Sequence, residues 1–142
     1  KLFDETTFYQ SFIMDLNKCK EEVIIESPYI TTKRMDVLFP VFKKLVKQGV
    51  KVTVITRSPR EHGYHLAIQA EGVIQSFEAL GVQVLLCPEN HHRKLAILDR
   101  KILWEGSLNI LSQNYSREIM RRIASETLAK EMFDFLKLGQ FV

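Results

Sequence analysis

Residues 92–109 contain side chains that could bind and cleave a phosphate ester. His92 and Lys94 are two positions apart in 92–98, a stretch rich in Leu, Ile and Ala that predicts a β-strand. Side chains two apart on a strand project from the same face, so the imidazole and the ammonium group would lie side by side. An imidazole can attack phosphorus or transfer protons, and an adjacent cation stabilises negative charge on phosphate oxygens. This pair therefore predicts a site for phosphate chemistry.

A second polar group follows a predicted β-hairpin. The hairpin turns at Asp99, and Gly106-Ser107-Leu108-Asn109 comes directly after its second strand. The glycine adds flexibility, and the hydroxyl and carboxamide add neutral hydrogen-bonding groups for phosphate oxygens. Asp99 has the opposite strand parity to His92 and is expected to point away from it. A His and a Lys alone on a strand are most often only solvated, so the prediction depends on the whole constellation.

The pattern resembles the His-x-Lys-Asp signature of the phospholipase D superfamily, and in particular its small bacterial nucleases with one motif per chain. Residues 92–109 read HRKLAILDRKILWEGSLN, and the matching positions are His92, Lys94, Asp99, Gly106, Ser107 and Asn109. Glu118, at the start of a predicted strand, is a further match. Asp99 matches the family aspartate and is counted with the catalytic residues, but its parity favours a supporting role, such as capping its turn, over proton transfer.

The resemblance implies cleavage of a phosphodiester in two steps, with no metal or other cofactor. His92 would attack phosphorus and form a phosphohistidine, while a second histidine protonates the leaving oxygen and then activates water. Lys94 and Asn109 would bind the phosphate oxygens, and Ser107 would help to shape their pocket. Glu118 would accept a hydrogen bond from the catalytic imidazole, fixing its tautomer and raising its basicity.

This mechanism needs two histidines, whereas the chain carries one motif. Two coupled imidazoles could share the nucleophile and acid roles near neutral pH. His91 would point to the face opposite His92, and His62 and His65 lie in a predicted loop without a lysine at the motif spacing. The second motif is therefore expected from another chain or from a missing half of a longer protein. We predict a symmetric homodimer with two copies of His92 across its two-fold axis.

Strands that alternate with helices predict a single α/β domain over residues 1–142. Predicted strands lie at 23–25, 50–56, 82–86, 92–98, 101–105 and 118–124, and predicted helices lie near the amino terminus and at 33–48, 66–80 and 126–138. The early βαβ units favour parallel pairing and the hairpin must be antiparallel, so the sheet is expected to be mixed. We predict helices on both of its faces, in a phospholipase D-like α-β-α sandwich.

Two segments that follow predicted strands offer further groups for a substrate. Arg57 and Arg60 lie in a polar loop over 57–65, and Tyr29 follows the first predicted strand. If the strands are parallel, both segments lie at the carboxyl edge of the sheet, where ligands of α/β folds bind. The arginines could contact phosphates and Tyr29 could stack on a base. The alternatives are a solvated loop and, for Tyr29, structural packing.

The composition is that of a globular protein with a slight preference for anionic partners. The hydrophobic fraction is 46%, the charged fraction 26% and the net charge +3, which favours nucleic acid weakly. No apolar run reaches the length of a membrane span. The sequence contains neither an HExxH nor a CxxC pattern, which are typical of metal sites. Cys19 and Cys87 are predicted to be buried free thiols of a cytoplasmic protein, and Trp104 is predicted to lie in the core.

The leading prediction is a metal-independent DNA endonuclease. One alternative is half of a lipid-active phospholipase D or phosphatidyltransferase, although that class usually carries two motifs per chain. Another is a non-catalytic nucleic-acid-binding module, which would not require the nucleophile. Because the chain starts with Lys1 rather than Met, we expect a module excised from a larger DNA-processing protein, with a fused or associated helicase, ATPase or DNA-recognition domain.

Overall fold

The computed structural model describes residues 1–61, 63–88, 90–112 and 116–141. Its strands are β1 Leu2–Asp4, β2 Glu22–Glu26, β3 Lys51–Arg57, β4 Gln83–Cys87, β5 Leu95–Leu98, β6 Ile102–Gly106 and β7 Ile119–Ala124. Its α-helices are α1 Phe8–Asn17, α2 Thr32–Lys47, α3 Tyr64–Leu80 and α4 Glu126–Phe135, with short 3-10 helices at Pro59–Glu61 and Leu138–Gln140. These described strands form one sheet in the order β1-β7-β6-β5-β2-β3-β4.

The sheet is mixed, which confirms the prediction. β2, β3 and β4 are parallel, whereas β5 is antiparallel to β2, and β6, β7 and β1 continue the antiparallel pairing. Parallel crossovers are almost always right-handed, so the two successive steps from β2 to β3 and β4 place α2 and α3 on the same face. α4 covers the other face, and the predicted α-β-α sandwich is therefore confirmed.

Each face of the sheet buries its own apolar cluster. Ile25 of β2 packs in one cluster with Phe42 of α2 and Phe77 of α3. Its neighbour Ile24 belongs to the other cluster, together with Phe133 of α4. Because successive side chains of a strand point to opposite faces, a strand buried on both sides is apolar at consecutive positions, as this one is from Val23 to Ile25.

Trp104 is fully buried, as predicted for a core residue. Its indole N–H donates to Oδ2 of Asp15 at 2.9 Å, so the polar end of the ring has a partner. Arg122 binds the same carboxylate through Nε and Nη2 at 2.7 and 3.0 Å. This cluster joins α1 to β6 and β7 and stabilises the half of the sheet that carries the antiparallel strands.

Some element boundaries differ from the prediction, and two of the differences concern the candidate site. β5 begins at Leu95 rather than at residue 92, and β7 begins at Ile119. The site residues thus lie beside the strands rather than inside them. The sequence also gave no sign of β1, which has three residues and exists because Phe3 and its neighbours pair with β7.

Candidate active site

One edge of the sheet collects the ends of several strands. β2, β3 and β4 are parallel and finish there, and the antiparallel register brings the starts of β5 and β7 and the end of β6 to the same edge. Glu26 pairs with Leu95, and Gly106 pairs with Met120. The predicted site residues flank these ends: His92 and Lys94 precede β5, Ser107 and Asn109 follow β6, and Glu118 precedes β7.

His92 is exposed and Lys94 is half-buried beside it. Nζ of Lys94 donates to the backbone oxygen of His92 at 2.9 Å, and the carbonyl of Lys94 accepts from Gly106 N at 3.4 Å. An ammonium group has three donors, so this one can keep its contact with His92 and still donate to a phosphate. The pair combines an accessible imidazole with a cation held at the backbone of the same residue.

Gly106 and Ser107 join β6 closely to β7. A Cβ atom at Gly106 would lie 2.1 Å from the carbonyl oxygen of Ile119, so no other residue fits without moving the backbone. Ser107 N donates to that carbonyl at 2.9 Å, and its Oγ accepts from Ile119 N at 3.0 Å. The serine hydroxyl therefore holds the start of β7 in place, which adds a structural role to the predicted one.

Asn109 is half-buried, and its Oδ1 atom is buried without a hydrogen-bond partner among the described residues. The backbone around it is held by Tyr9, whose hydroxyl donates to the carbonyl of Ile110 at 2.6 Å. Burial raises the pKa of Tyr9, and the guanidinium of Arg34 stacks on its ring at 3.5 Å. An unpaired buried amide oxygen costs stability, and such groups are found where a ligand binds or chemistry occurs.

Glu118 is half-buried, and its backbone N–H donates to Oε1 of Glu5 at 2.8 Å. Within the described part of the chain, no hydrogen bond joins its carboxylate to His92. The structure places it at the expected edge, and its predicted contact with an imidazole stays a prediction.

Asp99 lies at the opposite end of β5 from His92 and Lys94. Its carboxylate accepts three backbone N–H groups, from Lys20, Glu21 and Glu22, each at 2.9 Å. Both residues of its turn, Asp99 and Arg100, have φ of 52°, as a type I′ hairpin requires. The structure thus removes Asp99 from the candidate site. A whole strand separates it from the imidazole, and its carboxylate anchors the loop before β2 instead of capping its own turn.

The predicted binding groups that follow β2 and end β3 do meet at the site edge. Nη1 of Arg57 donates to the hydroxyl of Tyr29 at 3.2 Å, and the guanidinium lies 5.7 Å from the centre of the Tyr29 ring. Arg60 is exposed on the 3-10 helix that follows β3. His62 lies outside the described residues, and His65 is exposed in the first turn of α3.

Sequence reasoning did not identify Glu26, the last residue of β2. It is fully buried, and its Oε1 atom lies 3.0 Å from Nε of Arg93 and 3.1 Å from Nε2 of His91. His91 is itself buried, whereas the adjacent His92 is exposed. A carboxylate directly after Val23-Ile24-Ile25 was the available signal, since an acidic residue is almost never fully buried without a partner.

Cys19 and Cys87 are free, as predicted, but only Cys19 is buried, and Cys87 is half-buried because it ends the outer strand β4. Burial raises the pKa of Cys19 to about 12 and also raises the pKa of Cys87. Among the residues that the structure describes, no group of three or more His, Cys, Asp or Glu side chains could hold a metal ion. No described helix is long and apolar enough to cross a membrane.

Comparison with known proteins identifies the domain type. Residues 12–137 match the family model described as "Cardiolipin synthase, PLD-like domain". No curated protein sequence matches the chain.

Solved structures share the fold at low sequence identity. Nuc, a phospholipase D family member from Salmonella typhimurium, superposes with a TM-score of 0.76 at 14% identity, covering 96% of this chain and 90% of Nuc. NucT from Helicobacter pylori superposes with a TM-score of 0.70 at 20% identity, covering 96% of this chain and 92% of NucT. A phosphatidylserine synthase from Haemophilus influenzae gives 0.78 at 14% identity, covering 96% of this chain but 35% of the synthase.

Proposed function

Because the chain belongs to the phospholipase D-like domain family, we propose that it is a phosphodiesterase that cleaves DNA internally, without a metal, through a phosphohistidine. The observation that carries this proposal is the placement of His92, Lys94, Ser107 and Asn109 at one edge of the sheet, with the imidazole exposed. Each of these residues supplies a group that phosphoryl transfer needs.

In the first step, a nitrogen of His92 forms a bond to phosphorus and the bond to the leaving oxygen breaks. A second imidazole gives that oxygen a proton. In the second step the same imidazole takes a proton from water, the water oxygen bonds to phosphorus and the P–N bond breaks, which restores His92. The ammonium of Lys94 and the carboxamide of Asn109 stabilise the negative charge on the phosphate oxygens in both steps.

We infer that the second imidazole is His92 of another copy of this chain. His91 faces Glu26 instead of the site, and His65 lies on α3 with its ring against Tyr64, 5.6 Å between centroids. A two-fold axis near His92 would bring two identical imidazoles together. Glu118 would then accept a hydrogen bond from an imidazole of the assembled dimer.

DNA is the substrate that the charges around the site favour. The chain has a net charge of +3, and Arg57 and the exposed Arg60 stand at the same edge as His92. Cationic side chains of this kind bind phosphates without regard to base sequence. Two free thiols favour a reducing compartment, and we propose the cytoplasm.

A lipid phosphodiester is the second candidate, and one feature favours it. A groove next to the site is lined by Lys94 and Ser107 and also by apolar side chains. Of these, Phe135 is 80% exposed, Ile119 61% and Leu2 60%. Such a surface could accommodate an acyl chain while Lys94 binds the head-group phosphate.

The test compares both substrates in excess EDTA. Supercoiled plasmid, single-stranded DNA and phosphatidylglycerol vesicles are incubated with the wild-type chain, His92→Ala and the control His65→Ala, which changes an exposed histidine outside the motif. DNA cleavage that survives EDTA and is lost only in His92→Ala supports the nuclease. Lipid cleavage with intact DNA would establish the second candidate, and cleavage that EDTA abolishes would overturn the mechanism.

A further inference from the structure

The two residues on either side of His92 are held by one buried carboxylate. Nε of Arg93 donates to Oε1 of Glu26 at 3.0 Å, and Nε2 of His91 lies 3.1 Å from the same oxygen, without the direction of a hydrogen bond. The Glu26 side chain is 0% exposed, that of His91 6% and that of Arg93 48%. His92 therefore sits between two side chains that a single core residue holds in place.

Side-chain contacts hold residues 91–94 in place, whereas backbone pairing holds the strands of the sheet. β5 begins at Leu95, which pairs with Glu26, and residues 91–94 lie before that pairing starts. The next backbone contact toward the site is the 3.4 Å bond from Gly106 N to the carbonyl of Lys94. Beyond it, the path of the chain through His92 depends on the Lys94 side chain and on Glu26.

Glu26 is a costly residue for its position if stability is the only consideration. It ends a strand whose three preceding residues are apolar and fully buried, and its Oε2 atom has no hydrogen-bond partner among the described residues. Its negative charge also raises the pKa of Cys87, after the larger effect of burial. A buried carboxylate with one unsatisfied oxygen is less favourable than an apolar side chain of similar size.

We propose that Glu26 is a positioning residue for His92. By holding His91 and Arg93 at the end of β2, the carboxylate fixes the backbone between them, and Lys94 adds a hydrogen bond to the carbonyl oxygen of His92. The backbone that carries the nucleophilic imidazole is then fixed before substrate arrives. This inference rests on the proposed function for its catalytic consequence, but the position of the His92 ring is a property of the free protein.

The kinetic test uses the two ends of β2 as a matched pair. Glu26→Gln keeps the size of the side chain and removes its charge, whereas Glu22→Gln removes the carboxylate that binds Arg100 at the other end of the strand. With bis-p-nitrophenyl phosphate, Glu26→Gln is expected to lower kcat by about tenfold or more with KM within about twofold, because misplacing a nucleophile slows the chemical step. Glu26→Asp should recover part of the loss, and Glu22→Gln should leave kcat within about twofold.

A second measurement does not need activity. The ring signals of His92, identified by their loss in His92→Ala, are recorded by NMR in wild type, Glu26→Gln and Glu22→Gln. They should shift or broaden in Glu26→Gln alone. His92 signals that coincide with those of wild type in Glu26→Gln, or that move equally in Glu22→Gln, would overturn the positioning role, whether or not the wild type cleaves a phosphodiester. If Glu26→Gln does not fold, Arg93→Ala removes the exposed partner instead, with the same expectations.

Discussion

The polar groups at the two ends of the β2–β5 pair differ in whether they have hydrogen-bond partners. At one end, Asp99 accepts three backbone N–H groups at 2.9 Å and Glu22 binds Arg100. At the other end, the buried atoms Oε2 of Glu26 and Oδ1 of Asn109 have no hydrogen-bond partner among the described residues. The first arrangement stabilises the fold. The second lowers stability where the proposed chemistry takes place, which is a common difference between structural and functional sites.

A single sequence motif spans both ends. His92 and Lys94 lie just before β5 and Asp99 just after it, so the motif runs the length of that strand. Residues grouped in one signature therefore need not act at one place. Here the histidine and the lysine supply candidate chemistry, and the aspartate ties the hairpin to the loop before β2.

The largest expected effect comes from removing the proposed nucleophile. His92→Ala should lower the rate of phosphodiester cleavage by at least about 10³-fold, because no other described imidazole at the site can form the phosphohistidine. Its melting temperature should stay close to that of wild type, since the side chain is exposed. Rates and thermal unfolding are measured on one preparation, and a fully active His92→Ala would show that His92 is not the nucleophile.

Asn109→Ala should have the next largest effect on activity. Loss of one donor to the phosphate oxygens lowers kcat by about 10²-fold in comparable sites. Stability should change little or rise, because the substitution removes a buried amide oxygen that has no partner among the described residues. Urea unfolding checks the second expectation. A large loss of stability with kcat preserved would show that Asn109 has a structural role, as Asp99 does.

Asp99→Ala should show the reverse pattern. Without the carboxylate, three backbone N–H groups lose their acceptor, and the free energy of unfolding should fall by about 1–3 kcal/mol. The kcat of the protein that remains folded should match wild type. Asp36→Ala, which removes an exposed carboxylate from α2, is the control for loss of one negative charge. A loss of kcat in Asp99→Ala without loss of stability would return Asp99 to the catalytic group.

The smallest expected effect concerns Cys19, which lies near Asp99. Burial, followed by the charges of Asp99 and Asp15, raises the pKa of Cys19 from 9.0 to about 12. The unfolded chain releases this proton at lower pH than the folded one, so the contribution of Cys19 to stability is complete below pH 9 and is lost as the pH rises toward 12. The free energy of unfolding, measured with urea between pH 8 and 10.5, should therefore fall less steeply with pH in Cys19→Ala than in wild type. An equal slope would show that this end of the sheet is more open than its burial indicates.

Much of the fold followed from local patterns. Val- and Ile-rich segments predicted β2 and β3, and helical spacing predicted the four α-helices. β1 was not predicted, because three residues are too few to show a periodic pattern. Their strand conformation comes from pairing with β7, far along the chain. For the site, position in the motif indicated that His92 and Lys94 lie together, as they do. Asp99 was counted with them, although its parity predicted that it points away, and it lies at the other end of β5.

The types and spacing of residues 92–109 were enough to predict phosphate chemistry, and the pattern of strands and helices was enough to predict a mixed sheet. Where the polar residues lie relative to one another followed only from the folded chain. The contacts of Asp99 with the loop before β2 and of Glu26 with Arg93 join residues 78 and 67 positions apart. Periodicity reports which face a side chain occupies relative to its neighbours, but the partner it meets there depends on which strands the folded chain brings together.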